Sequence, residues 1–209
     1  KDLSLGLISS DGKFKRIGIN EITEISNRST TILKLKNNIK LKSCFLCEKE
    51  SYLLIITDIG RIIKLKLTEN DFPYMGKLAQ GSSIIKLFPG ENIVEVLNIK
   101  EKEIKDIILI TSEGYLIKHN TKDIKTSKKG ELGKIGISLR NNKNIKDKVI
   151  NCLISNKYIY IKTNKEKYEK LESDKFDTYP YKKEKKLNIT LNESEFIESI
   201  FSIILPENS

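Results

Sequence analysis

Tryptophan is absent, and histidine and methionine each occur once in 209 residues. Repeat arrays of the WD type, which carry recurrent Trp-Asp and Gly-His pairs, have no material here. The single His119 has no second imidazole and no matched carboxylate pair, so no acid–base site is visible. Phosphate loops of the form GxxxxGK[ST] and nucleophile elbows of the form GxSxG are missing, which leaves nothing to hydrolyse ATP or cut a bond. No run of 18 apolar residues is long enough to span a bilayer, and the start has no signal-peptide pattern. Because the one methionine is Met75, Lys1 is not a natural initiator, and we expect a piece of a longer protein. Only three cysteines occur. Cys44 and Cys47 form a lone CxxC without the second pair a zinc site needs. Both fall in apolar strand columns, so they read as reduced core residues of a cytosolic protein.

What is present is a repeat. A strand ends in a tight turn at Leu7-Ile8-Ser9-Ser10-Asp11-Gly12. It returns at Ile55-Ile56-Thr57-Asp58-Ile59-Gly60, at Leu109-Ile110-Thr111-Ser112-Glu113-Gly114, and more weakly at Tyr160-Ile161-Lys162-Thr163-Asn164-Lys165-Glu166. The final residues of these turns, positions 12, 60, 114 and 166, are 48, 54 and 52 apart. A second landmark follows in each copy: Thr31–Leu35, Ser83–Leu87, Ile135–Leu139 and Leu187–Leu191. Between them lie the apolar anchors Ile22, Phe72, Ile124 and Phe176. Alternation such as Gly60-Arg61-Ile62-Ile63-Lys64-Leu65-Lys66-Leu67 is the pattern of a strand. Sustained helical periodicity is absent, apart from one candidate helical turn near Leu67–Phe72, where Thr68 and Asp71 suit capping. A fixed period near 50 residues with four strands per copy predicts an all-β, propeller-like array of about four four-stranded blades. We read one domain, 1–209, with repeats at about 1–50, 51–103, 104–156 and 157–205. The fourth copy is the most degraded, with Glu166 in place of the turn glycine and Lys182-Lys183-Glu184-Lys185-Lys186 in its loop.

The chain has 38 basic and 28 acidic residues, a formal charge of +10 and a pI near 9.3. Such a surplus favours a polyanionic partner, although an AT-rich coding genome also enriches lysine. The charges are placed in register. Four residues past each turn stand Arg16, Lys64, Lys118 and Lys170. Blades set around an axis would carry these cations in a curved line suited to the phosphate backbone of duplex DNA. The competing reading is a solvated outer strand whose lysines discourage edge aggregation. Arg61 and Lys66 flank the second turn, and Lys13 and Lys15 the first. Lys128-Lys129-Gly130 and Gly133-Lys134 make a basic, glycine-punctuated loop of a kind that approaches phosphate.

Thr57-Asp58-Ile59-Gly60-Arg61-Ile62-Ile63-Lys64 and Thr111-Ser112-Glu113-Gly114-Tyr115-Leu116-Ile117-Lys118 follow the pattern T-x-x-G-[RY]-x-x-[KR]. Phe72-Pro73-Tyr74-Met75-Gly76-Lys77-Leu78-Ala79-Gln80-Gly81 reads like P-L-M-G-R-T-A-Q-G. In these motifs the chain resembles the C-terminal domain of the A subunit of bacterial type IIA topoisomerases, DNA gyrase and topoisomerase IV, with the last loop nearest to cyanobacterial members. The resemblance implies a β-pinwheel, in which neighbouring blades exchange strands. It implies nonspecific binding of duplex DNA on a basic rim, with Arg16, Arg61, Lys64, Lys66, Lys77, Lys118, Lys128, Lys129, Lys134 and Lys170 as contacts. It also implies a cytoplasmic, nucleoid-associated parent that is an ATP-dependent enzyme. There an A-subunit dimer works with a B subunit, and ATP and Mg are held outside this domain, which itself needs no cofactor. The gyrase loop Q-R-R-G-G-K-G is not intact at Met75–Gly81 or Lys129–Lys134, which favours a topoisomerase IV-like or divergent role. No tyrosine follows an arginine, so the DNA-breaking residue lies outside this chain. A β-propeller scaffold for protein partners, without DNA binding, is the alternative.

Overall fold

The computed structural model describes residues 3–23, 29–48, 50–141, 146–179 and 184–202. The first copy contributes β1 (Ser4–Ser9), β2 (Lys13–Gly18), the single helical turn α1 (Asn20–Thr23) and β3 (Leu41–Cys47). The second contributes β4 (Ser51–Thr57), β5 (Arg61–Lys66), β6 (Ser82–Ser83) and β7 (Ile93–Lys100), and the third β8 (Asp106–Thr111), β9 (Tyr115–Asn120), β10 (Lys134–Ile135) and β11 (Val149–Ile154). The fourth has β12 (Tyr158–Thr163), β13 (Tyr168–Glu172), a 3-10 turn at Ser173–Lys175, β14 (Thr178–Tyr179), β15 (Lys185–Lys186) and β16 (Ile197–Phe201). The expected all-β class is observed.

Each hairpin forms for the same local reason. The Gly12, Gly60 and Gly114 amides donate to the carbonyls of Ser9, Thr57 and Thr111, each at 3.0 Å. The glycines sit at φ 78, 88 and 79°, the left-handed residue that closes a three-residue hairpin loop. The hydroxyls of Thr57 and Thr111 accept the Arg61 and Tyr115 amides at 3.3 and 3.2 Å, which explains the threonine three residues before the glycine. Glu166 adopts φ 59° in the fourth copy without being glycine.

The sheets exchange strands. Their orders are β3-β1-β2-β6, β10-β5-β4-β7, β11-β8-β9-β14 with β15 also on β9, and β13-β12-β16. In the first three sheets the strand beside the second strand of the hairpin comes from the following copy. This exchange is what the word pinwheel implied, and it changes the reading of the second landmark. Of the expected landmark strands, Thr31–Leu35 contains none, and in the later copies only the two-residue pieces β6, β10 and β15 form, at or just before the expected start and followed by a bend. The backbone turns there because it must cross the preceding copy's hairpin. Ile84, Gly136 and Leu187 amides donate to the carbonyls of Gly12, Gly60 and Gly114 at 3.0, 2.7 and 2.9 Å. Near Leu67–Phe72 the expected helical turn reduces to one hydrogen-bonded loop, Phe72 N–H to the Thr68 carbonyl at 2.9 Å.

By its contacts the chain divides into two compact units, Lys1–Ile56 with Ile62–Glu103 and Thr126–Lys134, and Thr57–Arg61 with Ile104–Lys125 and Ile135–Ser209. Strand exchange is why part of the third copy belongs to the first unit. That unit's core includes Ile8, Phe14, Leu53, Ile55, Ile63, Leu65, Phe72, Ile84 and Val96, with Phe14 and Phe72 edge-to-face at 5.3 Å. The second unit's core includes Ile108, Ile110, Leu116, Ile159, Ile161, Phe176, Leu187 and Ile197. Leu53 through Ile56 are all inaccessible, so β4 is covered on both faces and alternation does not mark exposure there.

Candidate nucleic-acid interface

Strand exchange decides where the four in-register cations go. Arg16, Lys64 and Lys118 are only 4, 9 and 8% exposed, whereas Lys170 is exposed. The expected row of four solvent-facing cations is therefore corrected to one. The cause is the segment that the next copy lays along the same strand. Met75 N–H donates to the Arg16 carbonyl and Ser127 N–H to the Lys64 carbonyl, both at 2.7 Å, and Thr178 pairs with Lys118 in a parallel ladder. No described residue covers Lys170 in this way.

The three buried cations are satisfied inside the protein. Arg16 Nε donates to Ser4 Oγ at 2.7 Å, and its guanidinium lies 4.5 Å from the Tyr74 ring. Lys64 Nζ is 4.5 Å from the centre of Tyr52, and burial lowers its pKa. Lys118 Nζ donates to the Ser173 carbonyl at 3.3 Å. A desolvated cation needs such carbonyl, hydroxyl or π partners. Arg61 is also buried.

The remaining predicted contacts divide by tether. Lys66 is exposed and bridges Glu101 at 2.7 Å, an acid that also accepts the Tyr52 hydroxyl at 2.9 Å. These hydrogen bonds hold Glu101 below, and Lys66 above, their ordinary values. Lys128 and Lys134 are exposed. Lys129 is exposed but anchored, donating to the Asp71 carbonyl at 3.1 Å and to Ser82 Oγ at 3.0 Å. Lys77 is half-buried.

The two loops that stand where the gyrase motif would lie, both degenerate in sequence, share one geometry. In the first, Ala79 N–H donates to the Gly76 carbonyl; in the second, Glu131 N–H donates to the Lys128 carbonyl, both at 3.1 Å. Each ends on a left-handed glycine, Gly81 at φ 89° and Gly133 at φ 71°. A Cβ on either would come within 2.7 or 2.5 Å of the carbonyl of Phe14 or Ile62. Lys15, grouped with the surface cations by sequence, is inaccessible. Its Nζ donates to the carbonyls of Ile32 at 2.7 Å and Lys77 at 2.6 Å, and burial lowers its pKa.

Some exposed cations escaped the sequence reading. Lys34, Lys36, Lys40 and Lys42 are all exposed, and their even spacing across Asn37-Asn38 was the available signal. Lys175 is exposed as well, and so are Lys185 and Lys186 of the charged loop already noted in the fourth copy; Lys182 and Lys183 lie outside the described residues. His119 is 6% exposed, five residues past its turn glycine, in the column where the first two copies have Ile17 and Leu65. Its Nε2 faces the Gly136 carbonyl at 2.7 Å, so that nitrogen carries the proton. Cys47 and Cys152 are buried, but Cys44 is exposed. Residues three apart on β3 point to opposite faces, so the two cysteines of the CxxC do not share a core. Burial pushes the Cys47 thiol up to about 11.

The family model described as the DNA gyrase C-terminal domain, β-propeller, matches residues 7–48, 51–100 and 105–156, which are the first three copies. The DNA gyrase A subunit of Haloquadratum walsbyi is 26% identical over 120 residues, covering 53% of this chain and 14% of that protein. The structure of the C-terminal domain of DNA topoisomerase IV superposes with a TM-score of 0.81 at 17% identity, over 96% of this chain and 62% of that one. A DNA gyrase A C-terminal domain gives 0.72 at 18% identity, over 95% and 65%. The C-terminal domain of E. coli ParC gives 0.67 at 13% identity, over 96% and 79%. These structures share the fold.

Proposed function

Because the chain belongs to the DNA gyrase C-terminal domain family, we propose that it binds duplex DNA without sequence preference, as part of the A subunit of a type II topoisomerase. The match of three successive copies to that family carries the reading. The charge of +10 supports it, since each phosphate neutralised releases counterions. The chain spans only 14% of the curated relative, so the enzyme's activity is part of the proposal. In this reading the domain presents DNA to an A-subunit dimer working with a B subunit. ATP and Mg act elsewhere in that assembly, in the cytoplasm alongside the nucleoid. No described helix is long and apolar enough to cross a membrane.

The burial pattern selects the test. Binding to a short duplex is measured at several salt concentrations for two variant sets. Replacing the exposed Lys66, Lys128 and Lys134 with Gln should reduce the slope of log K against log salt by about 2–3, at roughly 0.9 per phosphate. Replacing the buried Arg16, Lys64 and Lys118 with Gln should lower stability and leave the slope of the remaining folded protein unchanged. No measurable binding of the unmodified chain at low salt would refute the DNA reading.

A further inference from the structure

In three of the four sheets the outer edge of the second hairpin strand is closed at the same two places. Gly12 and Arg16 carbonyls accept Ile84 and Met75 amides; Gly60 and Lys64 carbonyls accept Gly136 and Ser127 amides. The Gly114 carbonyl accepts Leu187, and Lys118 pairs with Thr178. β13 is the equivalent strand of the fourth sheet and stands at its edge. The Thr163 amide donates to the Lys167 carbonyl and the Ser173 amide to the Lys157 carbonyl. In an antiparallel pair the bonded and non-bonded positions alternate, so Tyr168, Lys170 and Glu172 turn their backbone groups away from β12. Among the described residues no segment meets them. The Glu166 and Lys170 carbonyls, counterparts of the pairs filled in the other three copies, receive no described donor.

An open hollow of about 370 Å³ borders this edge, lined among others by Tyr158, Lys170, Lys175, Phe176, Lys185 and Leu187. Lys170 Nζ lies 3.8 Å from the Tyr158 ring centre and Lys185 Nζ 5.6 Å from that of Phe176. Lys186 also lines the hollow. Glu172 is the one acid of the lining, and it is paired with Lys175 at 3.3 Å.

We propose that the β13 edge is a docking site for an extended acidic segment of a partner protein, which joins the fourth sheet as an added strand. The unfilled groups include carbonyl acceptors at strand spacing. A peptide supplies N–H donors at that spacing, as the following copy does three times in this molecule, whereas a phosphodiester backbone has none. Main-chain pairing supplies affinity in such additions, and side chains on alternate positions select the partner. The selecting chemistry here is four lysines over an aromatic and aliphatic floor, which favours carboxylates. Pairing with the same edge of a second copy would bring two lysine-rich rows together, and like charges across a strand pair are destabilising.

The test uses the whole chain and a short fluorescent peptide of alternating Glu and Val. Its controls are the same peptide N-methylated on alternate residues, a Lys-Val peptide and a duplex oligonucleotide. The expected result is saturable binding of the Glu-Val peptide, with slowed amide hydrogen exchange confined to Tyr168–Glu172. Affinity should fall at least about tenfold, equivalent to 1.4 kcal/mol, with the N-methylated peptide and with Lys170→Glu plus Lys185→Glu. Equal affinity of the N-methylated peptide, absence of protection at β13, or no saturable binding would overturn strand addition. These readouts do not depend on the variant folding. Protection of β13 by the duplex and not by the peptide would also overturn it, while leaving the DNA reading intact.

Discussion

His119 shows how one buried residue sets a pH dependence. Burial holds its imidazole below the ordinary value. Between the folded and unfolded values the unfolded chain binds the proton more readily, so the native state loses stability as protons are added. The contribution is fully present above about pH 6.5, the unfolded value, and is lost as pH falls toward the folded one. Urea unfolding followed between pH 7.5 and 5 should therefore show stability declining with acid. His119→Leu, which places there the residue that Leu65 supplies in the same column, should flatten that decline. An equal decline in the variant would assign it to other groups. Lys15 makes the complementary point: a side chain counted as surface charge is a buried clamp between two loop carbonyls, because the next copy closes over it.

At the scale of the hairpin, the turn glycine answers two demands. Gly60 has φ 88°, and a Cβ there would lie 2.5 Å from the Ile137 carbonyl, which the third copy lays across the turn. Gly60→Ala should cost at least about 1–3 kcal/mol from backbone strain alone, before any displacement of that carbonyl. Glu166 occupies the same turn position in the fourth copy, where no described segment crosses it and its side chain is exposed. Glu166→Gly should raise stability by about 1 kcal/mol, because it relieves the strain of a non-glycine residue at φ 59°. Denaturation midpoints of the two variants check the pair. A gain at Glu166→Gly as large as the loss at Gly60→Ala would mean that backbone strain alone, and not the crossing segment, sets the demand for glycine. The glutamate of the fourth copy is tolerated for a local reason: no described segment lies against its turn, whereas a Cβ at Gly12 or Gly60 would meet Ile85 or Ile137 at 2.7 or 2.5 Å.

For the whole molecule the question is how much DNA deformation its anchors sustain. Of the two equivalent basic loops, one carries only the half-buried Lys77, and the other carries Lys129, whose amine is already bound to Asp71 and Ser82, beside the exposed Lys128 and Lys134. Few cations there remain untethered, and bending a short site costs on the order of 1–6 kcal/mol. We expect the chain to bind DNA yet constrain little writhe. Relaxing a closed plasmid with a nicking–closing enzyme in its presence should shift the topoisomer distribution only slightly. A large shift proportional to protein added would show that these loops suffice for gyrase-like wrapping.

The period near 50, the turn glycines, the all-β class and the likeness to topoisomerase A-subunit domains were legible in the residues because each depends on local chemistry. A left-handed turn needs glycine, and a strand alternates, whatever surrounds it. The column of Arg16, Lys64, Lys118 and Lys170 was legible as a register, but its exposure was not. Exposure depends on which copy closes each strand edge, and that partner lies about 60 residues further along the chain. The same long-range contact shortened the landmark strands of the later copies to two residues and buried Lys15. Tertiary structure alone decided which cations reach solvent, because a lysine on a strand carries the same local signature whether the next strand covers it or water does.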